Sequence, residues 1–150
     1  MNFLNPSFSK GTFMQSVAQI ASVSKTSFWA GHIISAFMVL FLLFDGVIHL
    51  MKIDPVVKAF GELGYPVNLA VSLGILELIC LLFYVIPRTS ILGAILLTGY
   101  LGGAVATQLR IGNPLFSQAL FPAYVGILVW GGLVLRDGWL RKLIPLRSGV

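Results

Sequence analysis

Between Arg88 and Arg110 the chain carries no charged residue at all. A helix that crosses the hydrocarbon core of a bilayer needs about 20 predominantly apolar residues. It must also satisfy every backbone polar group within itself, which a continuous helix does and an open loop does not. This stretch meets both demands over residues 89–109. Three further segments read the same way between charges: about 28–51, apolar apart from Asp45, His32, His49 and Ser35; about 66–86, with Glu77 its only charge; and about 115–135, ending before Arg136. Pro122 lies inside the last of these and is expected to bend it near its start.

Composition supports the same reading. Apolar residues make up 57% of the chain and charged residues 10%, against roughly 25% charged in an ordinary soluble domain. The net charge of +5 would suggest nucleic acid if the basic residues were clustered on a polar surface. They instead fall between and beyond the apolar runs, the pattern of topology determinants that also attract anionic headgroups. Nucleic acid is therefore excluded as the expected partner, and the lipid bilayer takes its place. The single cysteine, Cys80, lies deep in an apolar run, so neither an intrachain disulfide nor a CxxC pair is available.

The connections are short, and short connections place sequential helices antiparallel and adjacent. An all-α, integral membrane four-helix bundle with up-down-up-down order follows. Pro55, Gly61, Gly64 and Pro66 punctuate the first connection around a short interfacial helix. Pro87-Arg88-Thr89-Ser90 makes a tight turn in which Thr89 or Ser90 is placed to cap the third span. Ile111-Gly112-Asn113-Pro114 makes the last turn. Residues 1–27 read as a cytoplasmic tail with a weak amphipathic stripe of Phe13, Met14, Val17, Ile20 and Ala21, and residues 136–150 as a basic cytoplasmic tail in which Trp139, Leu140, Leu143 and Ile144 rest at the interface. One side of the membrane collects Lys10, Lys25, Arg88, Arg136, Arg141, Lys142 and Arg147; the other holds Lys52, Lys58 and Arg110. The positive-inside rule then puts both termini in the cytoplasm of a cell whose inner membrane holds the protein.

Polar groups within the hydrocarbon are costly, roughly 2.5–3.5 kcal/mol for a charge at a helix centre on insertion scales, so each asks for a reason. Asp45 and His49, four residues apart, share one face of the first span. Glu77 lies mid-way along the second, on a face with Gly74, Cys80 and Tyr84. On the third, Gly99, Gly103 and Arg110 share a face near Thr107 and Gln108, and the spacing Gly99-x-x-x-Gly103 predicts close helix packing that turns Arg110 inward. Asp45, His49, Glu77, Gln108 and Arg110 are thus expected to converge on a polar, outward-opening ligand site. The alternative is a buried ionic network that only sets helix register. His32 and His49, seventeen residues apart, stand roughly 25 Å apart on one helix and cannot share a haem within one chain. The spacing of Asp45, His49 and Glu77 matches no recognised metal-ligand motif, and no metal is assigned.

Several runs carry a more specific signal: LGYP at 63–66, LGILEL at 73–78, IPRTSILGAILLTGYLGGAVATQLRIGNP at 86–114 and FPAYVGILVWGGLVLRDGWLRKLIP at 121–145. Together they resemble the DoxX-like family of small four-helix bacterial membrane proteins, over about Phe28 to Arg147. Members of that family often carry Lys at the position of His49 and His at that of Gln108, so a function resting on those groups would be modified, or made pH-dependent, in this chain. The family's name comes from likeness to a small subunit of thiosulfate:quinone oxidoreductase. The resemblance implies an accessory subunit of a membrane redox complex, without an active centre of its own, that binds a quinone or similar amphiphile for a redox partner protein. Two other readings stay open beside it: a small-solute or proton-coupled transporter acting as a homo-oligomer, with Glu77 and Asp45 as its relay, and a structural or assembly factor with no catalytic role.

Overall fold

The computed structural model describes residues 25–143, and side chains to residue 140. Within that range the chain forms helices α1 (Lys25–Met51), α2 (Asp54–Glu62), α3 (Asn68–Val85), α4 (Ser90–Arg110), a π-helical turn (Leu115–Ala119), α5 (Phe121–Arg136) and a short α6 (Gly138–Leu143). Four stretches are long and apolar enough to span a bilayer: α1, α3, α4, and the π-turn continued into α5. They pack in a closed ring, α1 on α3, α3 on α4, α4 on α5 and α5 back on α1, which is the up-down-up-down bundle. The N-terminal stripe from Phe13 to Ala21, and Ile144 with the residues after it, lie outside the described range.

The side chains are sorted by size rather than by polarity. On α1 the inward stripe is Gly31, Ser35, Met38, Leu42 and Gly46. The outward stripe of Trp29, Ile33, Phe37, Leu40 and Phe44 is at least 62% exposed at every position. A helix on the surface of a water-soluble protein turns polar residues outward; here the outward face is the more bulky and apolar of the two, as lipid contact requires. Since lipid tails are as apolar as leucine, packing of small residues brings such helices together. At Gly31 a Cβ would fall 2.7 Å from the backbone nitrogen of Arg136, and at Gly132 2.6 Å from Ser35 Oγ, so α1 and α5 touch backbone to backbone. At Gly74 a Cβ would fall 2.9 Å from both the Gly46 carbonyl oxygen and His49 Cβ, which locks α1 to α3.

Polar pins then fix the register. Tyr84, fully buried on α3, donates to the Val129 carbonyl (3.0 Å) and lies 3.1 Å from Ser35 Oγ. One hydroxyl therefore ties three helices together. Trp130 on α5 donates to Thr98 Oγ1 on α4 (2.8 Å). Leu140 of α6 is buried in the main core while its neighbour Trp139 is exposed, so only the latter is turned toward the bundle surface.

Three local expectations are corrected. Gly99 and Gly103 pack against no other helix: among the described residues, no atom beyond their own helix backbone and chain neighbours lies within 4 Å of where their Cβ atoms would stand. The close approaches use Gly31, Gly46, Gly74, Gly93 and Gly132 instead, because each of these faces a neighbouring helix across the ring. Thr89 occupies the N-cap position of α4 without a side-chain cap bond. Its hydroxyl donates back to the Phe83 carbonyl (2.9 Å), and Ser90 Oγ donates to the Pro87 carbonyl (3.2 Å), since Gly93 lays α4 against the backbone end of α3 and brings those acceptors nearest. Pro122 does not bend the fourth span from within. It sits in the first turn of α5, where a missing N–H has no helical partner to lose, and the irregularity falls upstream in the π-turn.

Candidate functional site

The first span ends where Lys52 takes a left-handed backbone conformation, φ 47°, and Pro55 opens α2 in its first turn. Helix α2 then packs Val56 and Phe60 against Ala70 at the start of α3. Phe60 is buried and meets the His49 ring edge-on, centroids 5.8 Å apart. Lys52 Nζ donates to Asn68 Oδ1 (3.2 Å), and Tyr65 OH lies 3.3 Å from Thr107 Oγ1. Ala59 and Phe60 of the short helix line part of a cavity of about 820 Å³ whose walls come from all four spans.

Most of that cavity is apolar, with walls that include Phe41, Leu73, Leu76, Ile95, Phe121 and Val125. Its polar groups gather at one place. Asp45 and His49 come from adjacent turns of α1, as their spacing of four dictates; Glu77 comes from the middle of α3. One ring nitrogen of His49 and one carboxylate oxygen each of Asp45 and Glu77 all lie within 4.8 Å of one another. His49 Nδ1 donates to the Asp45 carbonyl at 2.8 Å and stands 3.5 Å from Asp45 Oδ2. Asp45 and His49 keep partial exposure, 36% and 18% of their side chains, whereas Glu77 is 0% exposed. Its Oε2 accepts from Tyr100 OH of α4 at 3.1 Å, and its Oε1 has no hydrogen-bond donor among the described residues.

Of the five residues expected to converge, the structure brings Asp45, His49 and Glu77 together. Gln108 lines the same cavity but spends its side-chain oxygen on the Asn113 amide in the next turn. Arg110 is not with them. Its guanidinium donates to the Leu63 carbonyl (2.5 Å) and lies over the Tyr65 ring, 5.2 Å from the centroid. The reason is that Gly99 and Gly103 line the cavity instead of a helix contact, so nothing pulls the end of α4 inward, and the carbonyl after α2 supplies the acceptor that an acid was expected to provide. Tyr100 is the residue that sequence reasoning missed. Its signal was available: Tyr100, Gly103, Ala104 and Thr107 share one helical face by spacing, the face already singled out for its glycines.

Four lipid-facing helices around one cavity, with ionisable groups gathered inside it, define a small multi-pass membrane protein. A profile of the DoxX-like family matches residues 33–132, all four spans in part or whole, and the chain belongs to that family. No curated protein and no solved structure matches it.

Proposed function

We propose that this protein is an accessory membrane subunit whose cavity holds a quinone or a similar amphiphile for a partner that performs the redox step. The observation that carries the reading is the layout of the cavity. A volume of about 820 Å³ falls in the range of small-molecule sites, which are mostly apolar with a few convergent polar groups. Here the apolar walls would receive a ring and an isoprenoid-like chain, and the Asp45, His49, Glu77 and Tyr100 group would receive a polar head. Leu76, Ile95, Leu96 and Gly99 line the cavity and are also exposed, which supports access sideways from the lipid, where such a molecule is dissolved.

The test is to fill the cavity without touching the packing. Gly103 faces open space, so Gly103→Leu should fold normally and occlude the site. Titration of a short-chain quinone into the purified protein should raise its unfolding temperature saturably, and Gly103→Leu should abolish the rise. Equal responses from both proteins, or none from either, would refute the reading.

A further inference from the structure

We infer that Asp45, His49 and Glu77 form a binding site for one divalent first-row transition ion, with an open coordination position turned to the cavity. The inference does not rest on the amphiphile.

Three observations carry it. The donor set is one imidazole and two carboxylates, a mixed nitrogen–oxygen set that suits ions such as Zn²⁺ or Mn²⁺ better than Mg²⁺ or Ca²⁺, which take all-oxygen ligands. The spacing is close to what an ion needs: two ligands at about 2.1 Å from a tetrahedral centre stand about 3.4 Å apart. One ring nitrogen of His49 and one carboxylate oxygen each of Asp45 and Glu77 lie within 4.8 Å of one another, so small side-chain movements bring them to that spacing. Finally, Glu77 is fully buried, aimed into the cluster, and its Oε1 has no donor among the described residues. A carboxylate in that position is expensive unless something offsets its charge. A divalent ion balances the two carboxylates with His49 neutral. No cationic side chain among the described residues forms an ion pair with Glu77, so none of them supplies that balance.

The surroundings are those that metal ligands usually have. Metal-bound imidazoles commonly donate their other nitrogen to a carbonyl or carboxylate, and ligating carboxylates are held by hydrogen bonds. His49 Nδ1 donates to the Asp45 carbonyl, a bond that leaves Nε2 with the free lone pair, and Tyr100 holds Glu77 Oε2. Three protein ligands with a remaining position on a cavity is the arrangement of zinc sites that bind an exogenous ligand, as opposed to closed structural sites. Gly74 completes it by letting α3 approach to within contact of His49 Cβ, which the ligand geometry requires.

The experiment uses the full chain in detergent, stripped with a chelator, with Zn²⁺ as the probe and no quinone present. Calorimetric titration should show one saturable equivalent, and Co²⁺ substitution should produce the visible bands of a low-symmetry site. Asp45→Asn, His49→Ala and Glu77→Gln should each remove that equivalent. Tyr100→Phe should weaken it by about tenfold, the lower end of what loss of a ligand's supporting bond does. His32→Ala, on the far part of α1, should leave it unchanged and so controls for adventitious histidine binding. If Glu77→Gln fails to fold, the partly exposed Asp45→Asn decides. Absence of saturable binding, binding that survives Asp45→Asn and His49→Ala, or equal affinity for Mg²⁺ would overturn the inference and leave a shared proton as what balances the carboxylates. These outcomes are separate from quinone binding, which Gly103→Leu tests without touching a ligand.

Discussion

The hydroxyl of Tyr100 stands 3.1 Å from Glu77 Oε2 and donates the one hydrogen bond that this buried carboxylate receives among the described residues. It joins α3 to α4 at mid-span, where the facing glycines of α4 make no packing contact of their own.

Removing that hydroxyl should therefore be costly in proportion to the burial of its partner. Leaving a buried polar group without its partner costs about 1–3 kcal/mol, more when the group is charged. Tyr100→Phe should lower stability by at least that amount in reversible unfolding in mild detergent. The same substitution at Tyr124, which is exposed and donates to Phe116 O at 3.3 Å, should cost little. Equal effects at the two tyrosines would show that Glu77 does not depend on this bond.

A second prediction concerns the backbone beneath the site. The methyl group of Gly74→Ala would meet the Gly46 carbonyl and His49 Cβ at 2.9 Å, and neither can rotate away. Overpacking of this kind costs typically 1–3 kcal/mol, so the variant should be destabilised and the His49 ring displaced from Asp45 and Phe60. Gly99→Ala, where no other helix among the described residues lies within 4 Å, should be neutral within about 0.5 kcal/mol. A comparison of unfolding midpoints for the two checks this directly, and a harmless Gly74→Ala would contradict the α1–α3 contact.

Glu77 and Arg110 should behave independently. Arg110 lies ten residues beyond Tyr100 on α4, about 15 Å of helix rise, and is engaged by Leu63 and Tyr65. Substitutions at sites that share no partner add within about 0.3–0.5 kcal/mol. Unfolding of Glu77→Gln, Arg110→Gln and the double variant should show that additivity; a larger coupling would place Arg110 in the Glu77 network after all.

Orientation rests on the distribution of Lys and Arg, which we propose puts both termini in the cytoplasm of a bacterial inner membrane and the Lys58 end of the bundle outside. Reporter fusions after Val150 and beside Lys58 should report opposite sides, the first cytoplasmic. An externally active fusion at Val150 would reverse the assignment.

The four spans were legible in the sequence because crossing lipid is a local demand. Each helix must supply its own backbone hydrogen bonds and its own apolar length, and the charges at Arg88, Arg110 and Arg136 mark where that demand stops. The i, i+4 pairing of Asp45 with His49, and the inward face of Gly74, Glu77, Cys80 and Tyr84, were legible for the same reason, since both follow from helical periodicity alone. What only the tertiary structure decided is which faces meet. Gly99-x-x-x-Gly103 looked like a packing motif, yet the ring closes through Gly31 with Gly132 and Gly46 with Gly74. Spacing along one helix cannot say which neighbour stands opposite. The same limit misplaced Arg110, whose acceptor is a backbone carbonyl 47 residues away, and hid Tyr100, whose role appears only when α4 is turned against Glu77. A chain whose helices are apolar on every side carries a strong signal for where it enters lipid and a weak one for how its helices face each other, and small differences in side-chain size and a few hydrogen bonds settle the latter.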